Sequence, residues 1–228
     1  QRGIKVTHTP DVLTDDVADV ALGLILMTGR GFVSADRFVR TGAWEKRGPE
    51  LTTKLGGKKV GILGLGRIGK AIAQRVAAMG MKVAYTDRIQ QNVAYEFFPD
   101  LAALASAVDF LVVACTGGEA TRHAVNADVF AALGKKGTLI NIARGSIVDE
   151  PALIAALESG TIKGAGLDVY ADEPRIPSEL LSMENVVLLP HVGSSTRETR
   201  LAMGDLCRAN LDLWFAEKKV LTLIPELA

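Results

Sequence analysis

The sequence predicts an α/β protein built on a doubly wound parallel sheet, and three observations support that fold class. Between residues 59 and 189, short apolar runs alternate with helical stretches, the rhythm of parallel strands covered by helices on both faces. The run at 109–114 is apolar almost without a break, as a strand buried on both sides requires. A glycine-rich turn at 64–69 joins the first of these strands to the helix that follows it.

Composition narrows what such a protein does. The 228 residues carry 26 Lys+Arg and 26 Asp+Glu, a formal net charge of zero. Nucleic acid and anionic membranes call for a basic face, so neither is an expected partner. Apolar residues make up 48%, yet no apolar run approaches the ~20 residues of a membrane span. Cys115 and Cys207 are too few for a disulfide scaffold and lack metal-ligand spacing. A reduced, cytoplasmic setting and no metal are the expectation.

The elements follow in order. The chain opens at Gln1 inside a strand-like segment, Ile4-Lys5-Val6-Thr7, with no visible signal peptide, and has the look of a piece of a longer chain. Thr14 is placed to cap a helix running to about residue 30, with Asp15 and Asp16 at the positive end of its dipole. Val17, Val20, Ala21, Leu24 and Ile25 share one face of it. Residues 31–57, with Trp44, Pro49 and several Gly and Arg, read as a short helix and an extended arm. Strands are predicted at 60–63, 83–85, 109–114, 138–142, 165–169 and 186–189. Helices are predicted at 67–80, at 101–107 behind an Asp100 cap, at 127–133, at 150–159 and at 196–216. On the last of these, Cys207 with Leu206 and Leu211 reads as core.

The turn at 64–69 is Gly64-Leu65-Gly66-Arg67-Ile68-Gly69. Its glycines suit a tight turn, close approach of a phosphate to the backbone, and close packing of helix on strand. The helix end beyond adds unpaired N–H groups and a positive dipole end. Asp87, at the end of the next strand, lies 18 residues past Gly69, near the ~20 expected of the acid that holds an adenosine ribose. A bare tight turn is the bland reading; strand, helix and acid together point to a Rossmann-type dinucleotide site. A carboxylate accepts from a free ribose 2′-OH and repels a 2′-phosphate, so Asp87 favours NAD. Arg88 beside it is either a solvated charge or a phosphate partner, which keeps NADP possible.

Polar groups stand at the ends of three later strands: Arg144 after 138–142, Glu173 after 165–169 with Asp168 within its last residues, and His191 after 186–189. In open α/β sheets ligands bind at that edge. Position alone leaves alternatives open: Arg144 as a capping or ion-pair residue, Glu173 as a solvated acid, His191 as a hydrogen-bonded structural histidine.

The segments carrying these residues also carry a resemblance. They are Thr9-Pro10-Asp11, the loop at 64–69, Asn141-Ile142-Ala143-Arg144-Gly145 with Val148-Asp149-Glu150, Gly166-Leu167-Asp168-Val169-Tyr170 with Glu173-Pro174, and Pro190-His191-Val192-Gly193-Ser194. Over residues 4–228 the chain resembles the D-isomer-specific 2-hydroxyacid dehydrogenases, within them the glyoxylate/hydroxypyruvate and hydroxyphenylpyruvate reductases. The resemblance implies hydride transfer between a nicotinamide cofactor and a small 2-oxo acid. It implies His191 as general acid/base, Glu173 as its partner and Arg144 as the grip on the substrate. On the cofactor it implies Gly64, Gly66, Gly69 and the amides of Arg67 and Ile68 at the pyrophosphate, and Asp87 and Arg88 at the ribose. The loop from Thr116 to Thr121 would line the adenosine side. Ile142, Ala143, Arg144, Asp168, His191 and Gly193 would border the nicotinamide.

The resemblance also implies an organisation. Residues 1–8 correspond to the last connection of a flavodoxin-like substrate domain, 9–193 to the dinucleotide-binding domain, and 194–228 to the C-terminal helix returning to the substrate domain. A homodimer through the helix at 14–30 and the arm to residue 57 is implied as well. A dinucleotide-sensing, corepressor-like protein without turnover is the rival of a different class. Enzymes acting on phosphite or formate share the cofactor scaffold, and a methyltransferase would leave Arg144, Glu173 and His191 unexplained.

Overall fold

Apolar runs and helices alternate into one sheet whose every pairing is parallel. The computed structural model describes residues 4–224; the outermost residues of the segments expected at 1–8 and 194–228 lie outside them. In chain order the elements are α1 (Thr14–Arg30), α2 (Phe32–Arg40), β1 (Lys59–Leu63), α3 (Arg67–Ala78), β2 (Lys82–Thr86), β3 (Glu96–Phe97), α4 (Leu101–Ser106) and β4 (Phe110–Val113). Then come α5 (Ala127–Leu133), β5 (Thr138–Asn141), α6 (Glu150–Glu158), β6 (Gly164–Leu167), α7 (Ser178–Ser182), β7 (Val186–Leu188) and α8 (Arg197–Glu217). The strand order is β3-β2-β1-β4-β5-β6-β7. Chain direction across the sheet therefore reverses between β1 and β4, the switch point where an open sheet leaves a crevice.

Side-chain alternation along each strand splits the core in two. Phe110 and Val112 of β4 face α1 and α3, with Leu24, Ile25, Ile72 and Val76. Leu111 and Val113 face α4, α5 and α6, with Leu104, Phe130 and Leu153. Gly166 of β6 lets α1 come close: a Cβ there would sit 3.1 Å from Leu24 Cβ. Asp100 caps α4 as expected, its carboxylate accepting from Ala103 N at 2.8 Å.

Several expectations change. The segment at 4–7 is not a strand of the sheet; it pairs with the return at 222–224, through an isolated bridge of Thr7 with Leu223. An apolar alternation specifies a strand only where a partner edge is available. Thr14 does not cap α1. The cap position is Leu13, and the entry is closed by backbone, Thr14 N donating to Asp11 O at 3.2 Å from a residue with φ of 70°. Cys207 is exposed, because α8 lies away from the sheet and buries only Thr199 and Asn210. The two-residue β3 and five-residue α7 are too short to show a period in sequence. Among the described residues no single helix is long and apolar enough to cross a membrane.

Candidate active site

The carboxyl ends of β1 and β4 meet at the switch point so closely that side chains are excluded. Gly64 has φ of 93°, and a Cβ on it would lie 2.6 Å from Cys115 Cα. A Cβ on Gly69 would lie 2.2 Å from Gly64 O, so α3 sits directly on the turn. Gly66 is different: nothing stands within 4 Å of where its Cβ would be. Bonding within α3 begins with Lys70 N to Gly66 O, which leaves the amides of Arg67, Ile68 and Gly69 without helical acceptors. Open space over Gly66 beside a row of helix-end donors fits a pyrophosphate.

Asp87 closes the far side. Its Oδ2 accepts from Leu65 N at 2.9 Å and its Oδ1 from Arg88 N at 2.7 Å, so the carboxylate is fixed against the glycine turn. The Arg88 side chain is exposed. Arg67 turns away from the turn and pairs with Asp11 at 3.0 Å. In the loop after β4, Thr121 Oγ1 donates to Thr116 O at 2.9 Å, which draws residues 116 and 121 together. Burial and the nearby Asp87 charge push the Cys115 thiol up to about 11, so it packs there as a neutral group.

The other strand ends bring Arg144, Glu173 and His191 to the same edge. Asn141, 1% exposed at the end of β5, donates from Nδ2 to Arg144 O and accepts at Oδ1 from Ala143 N, both at 3.1 Å. That small ring turns the chain out of the sheet at Arg144. The stem of Arg144 lies on Gly117, where a Cβ would be 2.8 Å from Arg144 Cγ, and its Nη1 donates to Ala143 O at 2.6 Å. Gly145 then passes directly under the loop after β6: a Cβ would stand 1.9 Å from the carbonyl carbon of Tyr170.

Carboxylates hold the rest. Glu173 Oε1 accepts from Tyr170 N at 3.0 Å, and its Oε2 lies 2.6 Å from His191 Nδ1. Buried Asp168 accepts from Val192 N at 2.7 Å and from Gly193 N at 2.9 Å. Those two bonds pin the backbone just past His191, which takes φ of 53°. Tyr170 hydroxyl donates to Leu189 O at 2.9 Å, tying the Glu173 loop to the segment that presents His191.

The electrostatics follow from this packing. Burial pushes Glu173 up, but the hydrogen bonds from His191 and the Tyr170 amide, with the His191 and Arg144 charges, outweigh it. The carboxyl lies below its ordinary range. For Asp168 burial prevails over its two amide donors, and its carboxyl lies above the ordinary range. Burial also pushes the Tyr170 hydroxyl up to about 12, where it is a permanent donor. Glu173 and His191 remain partly open, with side chains 34% and 46% exposed. All three expected residues thus share one sheet edge. Asn141, Gly117 and Tyr170 shape the site as well, beyond the residues expected to do so. Of these Asn141 carries a sequence signal, as a polar residue ending an otherwise apolar strand.

Residues 22–193 match the NAD-binding domain of the D-isomer specific 2-hydroxyacid dehydrogenases. The chain belongs to that family. It is 54% identical, over 97% of its length and 71% of the relative's, to a glyoxylate/hydroxypyruvate reductase A of Arabidopsis thaliana. To a hydroxyphenylpyruvate reductase of Plectranthus scutellarioides it is 52% identical, over the same 97% and 71%. An NADPH-dependent glyoxylate/hydroxypyruvate reductase of Sinorhizobium meliloti, solved with NADP and malonate, superposes with a TM-score of 0.95 at 50% identity, covering 99% of this chain and 72% of that one. As a member of this dehydrogenase family the chain is an NAD(P)-dependent 2-hydroxyacid oxidoreductase, and the seven-stranded sheet is its Rossmann-type domain.

Proposed function

We propose that the protein reduces a small 2-oxo acid of the glyoxylate or hydroxypyruvate type to its D-2-hydroxy acid, with His191 as general acid/base, Glu173 as its partner and Arg144 as the substrate grip. The observation that carries this reading is the 2.6 Å contact of His191 Nδ1 with Glu173 on the same sheet edge as the glycine turn. With Nδ1 engaged, Nε2 is the nitrogen free to hold a proton for the substrate oxygen. Glu173, kept ionised, stabilises the imidazolium before the proton is delivered. Arg144 offers a planar fork to the substrate carboxylate and draws electron density from the adjacent carbonyl. When bound, the dihydronicotinamide supplies the hydride that C2 receives. The amides of Arg67 and Ile68 would hold its pyrophosphate. Asp168, besides pinning residues 192 and 193, would border the nicotinamide together with Ile142, Ala143 and Gly193.

Asp87 favours NAD by the 2′-OH argument, while exposed Arg88 is the group available to a 2′-phosphate. Residues 1–8 and 194–228 would belong with a substrate domain, and 9–193 form the dinucleotide-binding unit. A homodimer is the proposed assembly. Phe32, Val39, Trp44 and Leu51 of the arm are 47%, 54%, 64% and 102% exposed, an apolar surface suited to a second copy. A sedimentation mass of one chain at micromolar concentration would sink that assembly. A cytoplasmic location, with a small-molecule substrate as partner, is part of the same proposal.

The test follows loss of reduced-nicotinamide absorbance with NADH and NADPH in parallel, on adding glyoxylate, hydroxypyruvate or hydroxyphenylpyruvate. Turnover abolished by His191→Ala is the expected result. Saturable cofactor binding without turnover on any of these acids would favour the dinucleotide-sensing reading instead.

A further inference from the structure

Two consecutive amides in the loop after β6 are each taken by a carboxylate. Tyr170 N donates to Glu173, the partner of His191. Ala171 N donates to Glu150 Oε2 at 3.1 Å, from the first residue of α6. Ala171 is exposed, so water would satisfy its amide if the carboxylate were removed. The bond therefore decides where the loop sits rather than whether a donor is paired.

Glu150 is itself a fixed post. Asp149 caps α6 by accepting from Ala152 N at 3.2 Å, and its own amide donates to Val125 O at 2.9 Å. Beneath the loop, Gly145 leaves no slack, since a Cβ there would stand 2.4 Å from Ala171 N. With Gly145 below and Glu150 to the side, the peptide between Tyr170 and Ala171 has one position. Glu173 takes its bearing from the peptide one step earlier, whose Tyr170 N it accepts from across the shared Tyr170 Cα, and His191 takes its own from Glu173.

We propose that Glu150 is a positioning residue for the reaction, holding the 170–173 loop through the Ala171 amide so that Glu173 meets His191 Nδ1. The proposal rests on the catalytic reading given above for Glu173 and His191. A helix-dipole role for an acid in the first turn of α6 is the competing account, and it makes a different prediction. A positioning role needs an acceptor atom and not a charge, so Glu150→Gln preserves it; a dipole role needs the charge, so Gln and Ala behave alike.

The experiment compares wild type, Glu150→Ala and Glu150→Gln in the full protein. One readout is the 15N shift of His191 Nδ1, assigned by its loss in His191→Asn. It senses the hydrogen bond to Glu173 and needs no turnover. The second is the split of kcat from the KM for cofactor. Glu150→Ala should move the Nδ1 shift toward that of a solvated imidazole and lower kcat by about 10-fold to 100-fold, the scale of a small misplacement of a reacting group. The cofactor KM should stay put. Glu150→Gln should restore both signals. A lower melting temperature in both variants with an unmoved Nδ1 shift would overturn the proposal, as would a Gln variant indistinguishable from Ala. Wild type without turnover would count against the catalytic reading alone, because the Nδ1 shift still reports on the loop.

Discussion

Two ends of one sheet edge both tie carboxylates to backbone amides, Asp87 at one and Asp168 and Glu173 at the other, but differ in which groups they leave to do the binding. At β1 the glycine turn works by missing side chains: Gly64 and Gly69 have no room for a Cβ, and Gly66 leaves space open. At β6 and β7 the site works by added side chains, with Asp168, Glu173 and Glu150 each committing carboxylate oxygens to backbone amides. A dinucleotide pyrophosphate is recognised by the backbone itself, so its site must be stripped. A proton donor must be aimed, and aiming an exposed imidazole takes charged ligands on the loops around it.

The two halves should fail separately. The largest expected effect is His191→Ala, which should lower kcat by roughly 10²–10⁴-fold, the usual worth of a general acid. Cofactor affinity, followed by fluorescence of bound NADH, should hardly change. Loss of affinity together with kcat would show the halves to be one unit.

Gly69→Ala should do the reverse. A methyl 2.2 Å from Gly64 O cannot be relieved by a rotamer change, so α3 must move off the turn. An overpacking cost of about 1–3 kcal/mol in denaturant unfolding, with weakened NADH binding, is the expected result. Unchanged binding would mean that the glycine serves packing alone.

Glu173→Gln sharpens the catalytic side through pH. Because the folded-state carboxyl lies below its ordinary value of 4.5, Glu173 contributes stability that is fully present above that value. The contribution is lost as pH falls through the lower folded value. Wild type should thus melt above the variant at pH 7, and the gap should close on acidification below 4.5. A gap that widened on acidification would reverse the assigned shift. The smallest effect belongs to Arg88→Ala. The side chain is exposed, so the ratio of kcat/KM for NADPH to that for NADH should fall by less than about tenfold, a difference under 1.4 kcal/mol.

Much of the fold and part of the site are legible in the sequence, though unevenly. The helix at 127–133 and the strand cores at 60–63 and 186–188 fall where local patterning puts them, because each is a run of apolar residues between breakers. The glycine turn is legible for the same reason, lying within six consecutive residues. Arg144, Glu173 and His191 are candidates from their position at strand ends, but their roles come only with the family resemblance. Thr14 and Cys207 depart from expectation because cap and burial depend on what lies opposite: the Asp11 turn in one case, open solvent beside α8 in the other.

The sequence by itself determined the parallel sheet, the dinucleotide turn and the residue types available at the sheet edge, since these follow from local periodicity and spacing. Only the tertiary structure decided that Asp168 grips the amides past His191, that Gly145 slides beneath Tyr170, and that Glu150 reaches Ala171. Each of these joins residues from different strand ends. Hydrogen bonds and contact distances of that kind depend on the strand order β5-β6-β7, which sequence neighbours cannot encode pairwise.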